Sequence, residues 1–252
     1  MPLIPLHDAN PRVYIRAHYV TIMLVAANLL IFLSMLGMGE VQRFDTILGY
    51  ALIPARLFEG IDLPARVNGV SPLMTLVTYQ FLHGGWEHVL FNMLFLWVFG
   101  DNIEDALGHK KFVLFFVLCG IAGGLVHSAI SPGSLTPVVG ASGSISGVLG
   151  AYLLLYPRAR LLVLAFVIIP VRLPALLVIG TFFAQDLIWA ATNAPSALEV
   201  AVWAHIGGFL TGMALVVFLR NPRVVLWHHP PRPWGVGAYS PSAITILETD
   251  AD

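Results

Sequence analysis

Apolar runs broken by glycine, proline or charge dominate the chain. A helix crossing a hydrocarbon core of about 30 Å needs roughly 20 apolar residues. Six stretches approach or meet that length: 19–38, 86–100, 112–130, 142–156, 174–191 and 197–219. The second is short, and the apolar residues 74–82 before it extend the buried region. Residues 161–171 are apolar too, but Pro170, Arg172 and Pro174 interrupt the pattern. They are expected to form an interfacial or re-entrant piece, with a seventh span as the rival. The predicted fold class is therefore all-α: a polytopic membrane protein with a six-helix transmembrane bundle over 18–220. An N-terminal segment, 1–17, precedes it, and a tail, 221–252, follows. Pro230, Pro231 and Pro233 argue against a helix in that tail, which is expected to be disordered, with His228 and His229 solvated. The longest polar-apolar mixture, 39–75, suits a partly amphipathic element on the membrane surface.

Composition supports the membrane reading. Of 252 residues, 58% are apolar and 11% are charged, against roughly 25% charged in a soluble domain. Mean hydropathy is +0.82. So few charges cannot cover a water-soluble surface, which excludes a typical cytosolic enzyme, a disordered chain and a fibrous repeat. A net charge of −1 offers nucleic acid no electrostatic footing, and none is expected as a partner. Cys119, the single cysteine, reads as a small buried hydrophobe. With the N-terminus inside, ten of the thirteen Lys and Arg residues fall on the inner side. Only Arg43, Arg56 and Arg66 fall outside, all in one long loop. Six spans with both ends cytoplasmic fit this bias. The lack of a transit-peptide pattern points to a bacterial cytoplasmic membrane.

Polar side chains inside spans are costly and read as functional by default. Here they are His88, Asn92, His127, Ser142, Ser144, Ser146, Asp186 and His205. At 1.5 Å per residue, His88, Asn92, Ser142 and His205 all lie between the outer surface and about 12 Å below it. His88 and Asn92, at i and i+4, share a face. Gly143 and Gly147 in the fourth span, and Gly208 and Gly212 in the sixth, are small-xxx-small pairs that let two helices approach closely. Such an approach would bring Ser142 to His205. A serine needs a neighbouring base to become a nucleophile, and a neutral imidazole can serve. Asn92, His88 and the backbone N–H of Ser142 at a helix start are candidate donors to an oxyanion. Together these predict an acyl-transfer hydrolase.

Three ordered blocks resemble the rhomboid intramembrane serine proteases. His83-Gly84-Gly85-Trp86-Glu87-His88, continuing to Asn92, resembles H-x4-H-x3-N. Gly140-Ala141-Ser142-Gly143 resembles G-x-S-G. Ala204-His205-Ile206-Gly207-Gly208 with Gly212 resembles A-H-x-x-G-x-x-x-G. The resemblance covers roughly residues 15–220. It implies Ser142 as nucleophile and His205 as general base, a dyad with no required carboxylate. It also implies His88 and Asn92 as oxyanion-stabilising groups and His83, Gly140, Gly143, Gly208 and Gly212 as support for the site. Glu104 resembles a family glutamate with a structural role. The uncharged loop 131–139 would drop into the membrane above Ser142. Neither metal nor cofactor is implied. The implied partners are the lipid bilayer and single-span membrane proteins as substrates. The Trp-Arg pair of many members' first outer loop is missing.

Three rivals come from other classes. A zinc protease could use His83, Glu87 and His88, but H-x3-E-H misses both usual spacings by one residue. A proton-coupled transporter could use Asp186 and His127 as relays, although a purely structural role is the blander expectation for both. A catalytically inactive relative that binds membrane clients would not need Ser142 and His205.

Overall fold

A computed structural model describes residues 3–166, 168–192 and 201–227. Within it lie helices α1 (Tyr19–Leu36), α2 (Glu40–Tyr50), α3 (Pro54–Phe58), α4 (Pro72–Thr78), α5 (Trp86–Leu107), α6 (His109–Ile130), α7 (Ser142–Leu155), α8 (Ala175–Thr192) and α9 (Val202–Leu219). Four of these, α1, α6, α8 and α9, are long and apolar enough to cross a membrane by length and composition. The chain is thus a mostly helical, multi-pass membrane protein. α7 is apolar but has only 14 residues. α5 has 22 residues, and its last turns carry Asp101, Glu104 and Asp105.

The all-α expectation needs one correction. Residues 161–171 are neither a re-entrant piece nor a span. They belong to a hairpin of β2 (Arg160–Ala165) and β3 (Ile169–Pro174), and β1 (Leu3–Asp8) pairs with β2 on its other side. All pairing in this three-stranded sheet is antiparallel. Pro5, Pro170 and Pro174 fall on the two edge strands, where a missing N–H costs no ladder bond. Leu161 and Val163 of the central strand are fully buried and anchor the sheet to the bundle.

The acidic stretch after the apolar part of α5 ties the N-terminal segment down. Glu104, fully buried, accepts the N–H groups of Val20 and Thr21 at 3.0 and 2.8 Å and the Thr21 hydroxyl at 2.7 Å. Those N–H groups belong to the first turn of α1, where no helical acceptor exists and a carboxylate meets the positive end of the dipole. The structural role expected of Glu104 is visible in these bonds. Asp105 accepts three further N–H groups, from Val13, Tyr14 and Ile15, at 2.6–2.8 Å. Gly108, at φ +78°, turns α5 directly into α6, a conformation that a side chain would strain.

The two ends of the bundle collect different segments. At one end sit the sheet, the start of α6 and the residues after α9. Asn221 N–H donates to Ala106 O at 2.8 Å, Trp227 N–H to Leu154 O at 3.1 Å, and the Tyr14 hydroxyl to Arg223 O at 3.2 Å. The first seven residues of the expected tail are therefore packed rather than loose; His228 and everything after it lie outside the described residues. At the opposite end, Leu52 and Val138 exchange both backbone hydrogen bonds, Ala55 N–H donates to Ser134 O, and Gly140 N–H donates to Tyr79 O at 2.9 Å. Loop 131–139 is thereby held between the segment after α2 and the end of α4.

Backbone-to-backbone packing of α6, α7 and α9 fixes the middle of the molecule. A carbon added at Gly123 would sit 2.5 Å from Ala204 O. One added at Gly208 would sit 2.8 Å from the carbonyl carbon of Gly143, and one at Gly212 would sit 2.5 Å from that of Gly147. No side chain fits between these helices. Phe99, Phe112, Phe115, Phe116 and Tyr152 fill the adjoining core.

Candidate active site

Ser142 is the first residue of α7, where the leading N–H groups lack helical partners. His205 lies in the first turn of α9. The Gly143–Gly208 and Gly147–Gly212 contacts bring the two helices close enough for Ser142 Oγ and His205 Nε2 to stand 2.9 Å apart. That is hydrogen-bonding distance between a nucleophile and a base.

The first block, His83 to Asn92, forms one wall of the same place. A carbon added at Gly140 would lie 2.5 Å from His88 Nε2 and 3.6 Å from Asn92 Nδ2, so both groups face the backbone two residues before Ser142. Gly140 itself has φ +121°. Glycine there meets two demands: a positive φ and the close approach of the His88 ring. Asn92 is buried, and its Nδ2 has no hydrogen-bond partner among the described residues. A buried amide donor left unpaired costs free energy unless something else accepts from it. An oxyanion formed on a carbonyl beside Ser142 would do so. His83 stacks edge-on against His88 with ring centroids 5.0 Å apart, and it too is buried. Burial, with the neighbouring His88 second, holds His83 down at about 4, so the ring is neutral near pH 7.

Sequence reasoning missed one neighbour. Asp186, on α8, places Oδ2 3.3 Å from Nδ1 of His205. The resemblance implies no carboxylate here, and the residue's polarity suggested either packing or a relay. The structure sets it on the imidazole instead. Ser144, another hydroxyl of α7, donates to Gln80 Oε1 at 2.9 Å in a fully buried spot, which turns it away from His205. His127 keeps a buried Nδ1 with no hydrogen-bond partner among the described residues. Among the described residues, no three His, Cys, Asp or Glu side chains converge to hold a metal ion.

The family model "Rhomboid domain" matches residues 71–222. The mouse "Presenilin-associated rhomboid-like protein, mitochondrial" is 29% identical over 180 residues, covering 66% of this chain and 44% of that protein. The Arabidopsis thaliana "RHOMBOID-like protein 1" is 34% identical over 200 residues, 79% of this chain and 48% of the relative. The Bacillus subtilis "Rhomboid protease GluP" is 31% identical over 148 residues, 59% of this chain and 26% of the relative. The chain spans about half the length, or less, of these relatives.

Proposed function

The chain belongs to the rhomboid family, and from that premise we propose that it is an intramembrane serine endopeptidase acting through Ser142 and His205. The observation that carries this reading is the 2.9 Å contact between Ser142 Oγ and His205 Nε2, with Asn92 Nδ2 unpaired alongside. One relative bears the name of a protease, and that supports the reading.

In this reading Ser142 Oγ attacks the carbonyl carbon of the scissile peptide bond while its proton passes to His205 Nε2. The carbonyl oxygen becomes an oxyanion and accepts hydrogen bonds from Asn92 Nδ2, from His88 in its Nε2–H tautomer and from the Ser142 N–H. His205 then gives its proton to the amine nitrogen, the C–N bond breaks, and an ester remains on Ser142. Water attacks that ester, His205 takes the water's proton, and the proton returns to Oγ as the new carboxylic acid leaves.

The substrate class we propose is membrane proteins with a single span, cut in or near the span. Six crossings, with α5 and α7 joining α1, α6, α8 and α9, support both termini lying on one side. The sheet joining residues 3–8 to 160–174, together with the Tyr14–Arg223 bond, supports the same arrangement. The proposed side is the cytoplasmic face of a bacterial inner membrane, with the active site opening near the other face.

The test is cleavage of a panel of single-span substrates by the full chain in liposomes. Wild type is expected to cut at least one, and Ser142→Ala none. Cleavage undiminished in Ser142→Ala would reject the nucleophile. Client binding without cleavage would favour an inactive relative, uptake without cleavage a transporter, and loss of cleavage to a chelator a metalloprotease.

A further inference from the structure

We propose that Asp186 is a positioning residue for His205, so that the Ser142–His205 pair is oriented and tuned by a third side chain. This rests on the protease reading above and deepens it. The two ring nitrogens of His205 face different partners: Nε2 faces Ser142 Oγ at 2.9 Å and Nδ1 faces Asp186 Oδ2 at 3.3 Å. The contact is at ion-pair distance rather than in hydrogen-bond geometry; a carboxylate can only accept, so its closing on Nδ1 would hold the ring proton there. Nε2 is then left with its lone pair toward the serine, the tautomer a general base needs. Asp186 is also the sole ionisable side chain of α8, a mostly apolar helix whose other polar residues are Thr181, Gln185 and Thr192. A carboxylate at such a position is costly without a partner. Its side chain is 22% exposed, and that of His205 18% exposed, so the pair sits at the wet edge of the bundle.

The chemistry balances without a further reactant. When Ser142 attacks, its proton moves to Nε2 and the ring becomes an imidazolium. The Nδ1 proton stays on the ring, and Asp186 stays ionised beside the new positive charge. When Nε2 protonates the leaving amine, the ring is neutral again. Asp186 thus touches neither substrate nor reacting atoms. It acts through the orientation, the tautomer and the charge of His205.

Replacing a fully buried triad aspartate by asparagine lowers kcat by about 10⁴-fold. The pair here is longer and about a fifth exposed, so the expected loss is smaller, about 10²-fold. The experiment compares wild type, Asp186→Asn, Asp186→Glu and Ser142→Ala, each as the full chain in liposomes. Asp186→Asn is expected to lose about 10²-fold in kcat with KM within about twofold of wild type and an unchanged thermal midpoint. Asp186→Glu should recover part of that loss. In ¹⁵N-histidine spectra, the Nδ1–H signal of His205 should be present in Ser142→Ala and altered when Asp186→Asn is added. A wild-type kcat in Asp186→Asn would overturn the proposal, as would a change confined to KM or to thermal stability. If Ser142→Ala cleaved like wild type, the protease reading would fail by itself. The ring spectrum would still decide the pairing, and an Nδ1–H insensitive to Asp186 would overturn it.

Discussion

Replacing Gly208 by alanine adds one carbon where α9 crosses α7. That carbon would lie 2.8 Å from the carbonyl carbon of Gly143, and the carbonyl oxygen is closer still; ordinary contact begins near 3.4 Å. The obstacle is backbone, so no side chain can rotate away. The carbon atom alone demands a shift of about 0.6 Å (3.4 minus 2.8) and the oxygen demands more, so the helices must part by on the order of 1 Å. Ser142 is the residue next to Gly143. Widening its 2.9 Å contact with His205 by that amount leaves about 3.9 Å, beyond hydrogen-bonding reach. Misplacement on this scale costs on the order of 10²-fold in rate, and overpacking adds about 1–3 kcal/mol of destabilisation. Cleavage in liposomes and thermal unfolding should therefore both suffer in Gly208→Ala. Full activity together with an unshifted unfolding midpoint would show that the helices do not approach as closely as the argument requires.

Two further perturbations separate the site from its surroundings. Asn92→Ala removes one proposed oxyanion donor and should lower kcat about 10²–10³-fold while leaving the fold intact; a wild-type rate in a cleavage assay would remove Asn92 from that role. Asp8 lies at the other end, accepting from the Tyr152 hydroxyl at 2.7 Å and from Asn102 at 2.9 Å, and burial raises its carboxyl to about 7. A folded-state value above the unfolded one means that the folded chain holds the proton more tightly. The resulting stability is full below about pH 4 and is lost as pH rises through 7. Asp8→Asn should flatten the fall in thermal midpoint between pH 5 and 8, and an unchanged pH dependence would refute the assignment.

Much of the architecture could be read from residue type alone, because the bilayer restricts the choices. Runs of about 20 apolar residues have few other fates, and α1, α6 and α8 begin or end within three residues of the expected stretches. Ser142, His205, His88 and Asn92 could be placed at one depth because helical rise converts sequence position into height. The small sheet was hidden because its central strand pairs with a partner more than 150 residues earlier, and its five apolar residues do not distinguish strand from interfacial helix. α5 runs on to Leu107 because Glu104 and Asp105 are satisfied by the N-terminal segment, a contact that hydropathy does not report. Asp186 is the instructive miss. Its position along helix and sequence says nothing of the direction a side chain takes around that helix. The contact between α8 and α9 supplies that direction.

The central claim is that one hydroxyl, Ser142, is made reactive by one imidazole, His205. The most direct measurement is mass mapping of the full chain in liposomes after exposure to a fluorophosphonate. The account predicts a single phosphonylated residue, Ser142, with labelling lost in His205→Ala while the unfolding midpoint stays unchanged. A label on another serine, or labelling of Ser142 at the wild-type rate without His205, would contradict it.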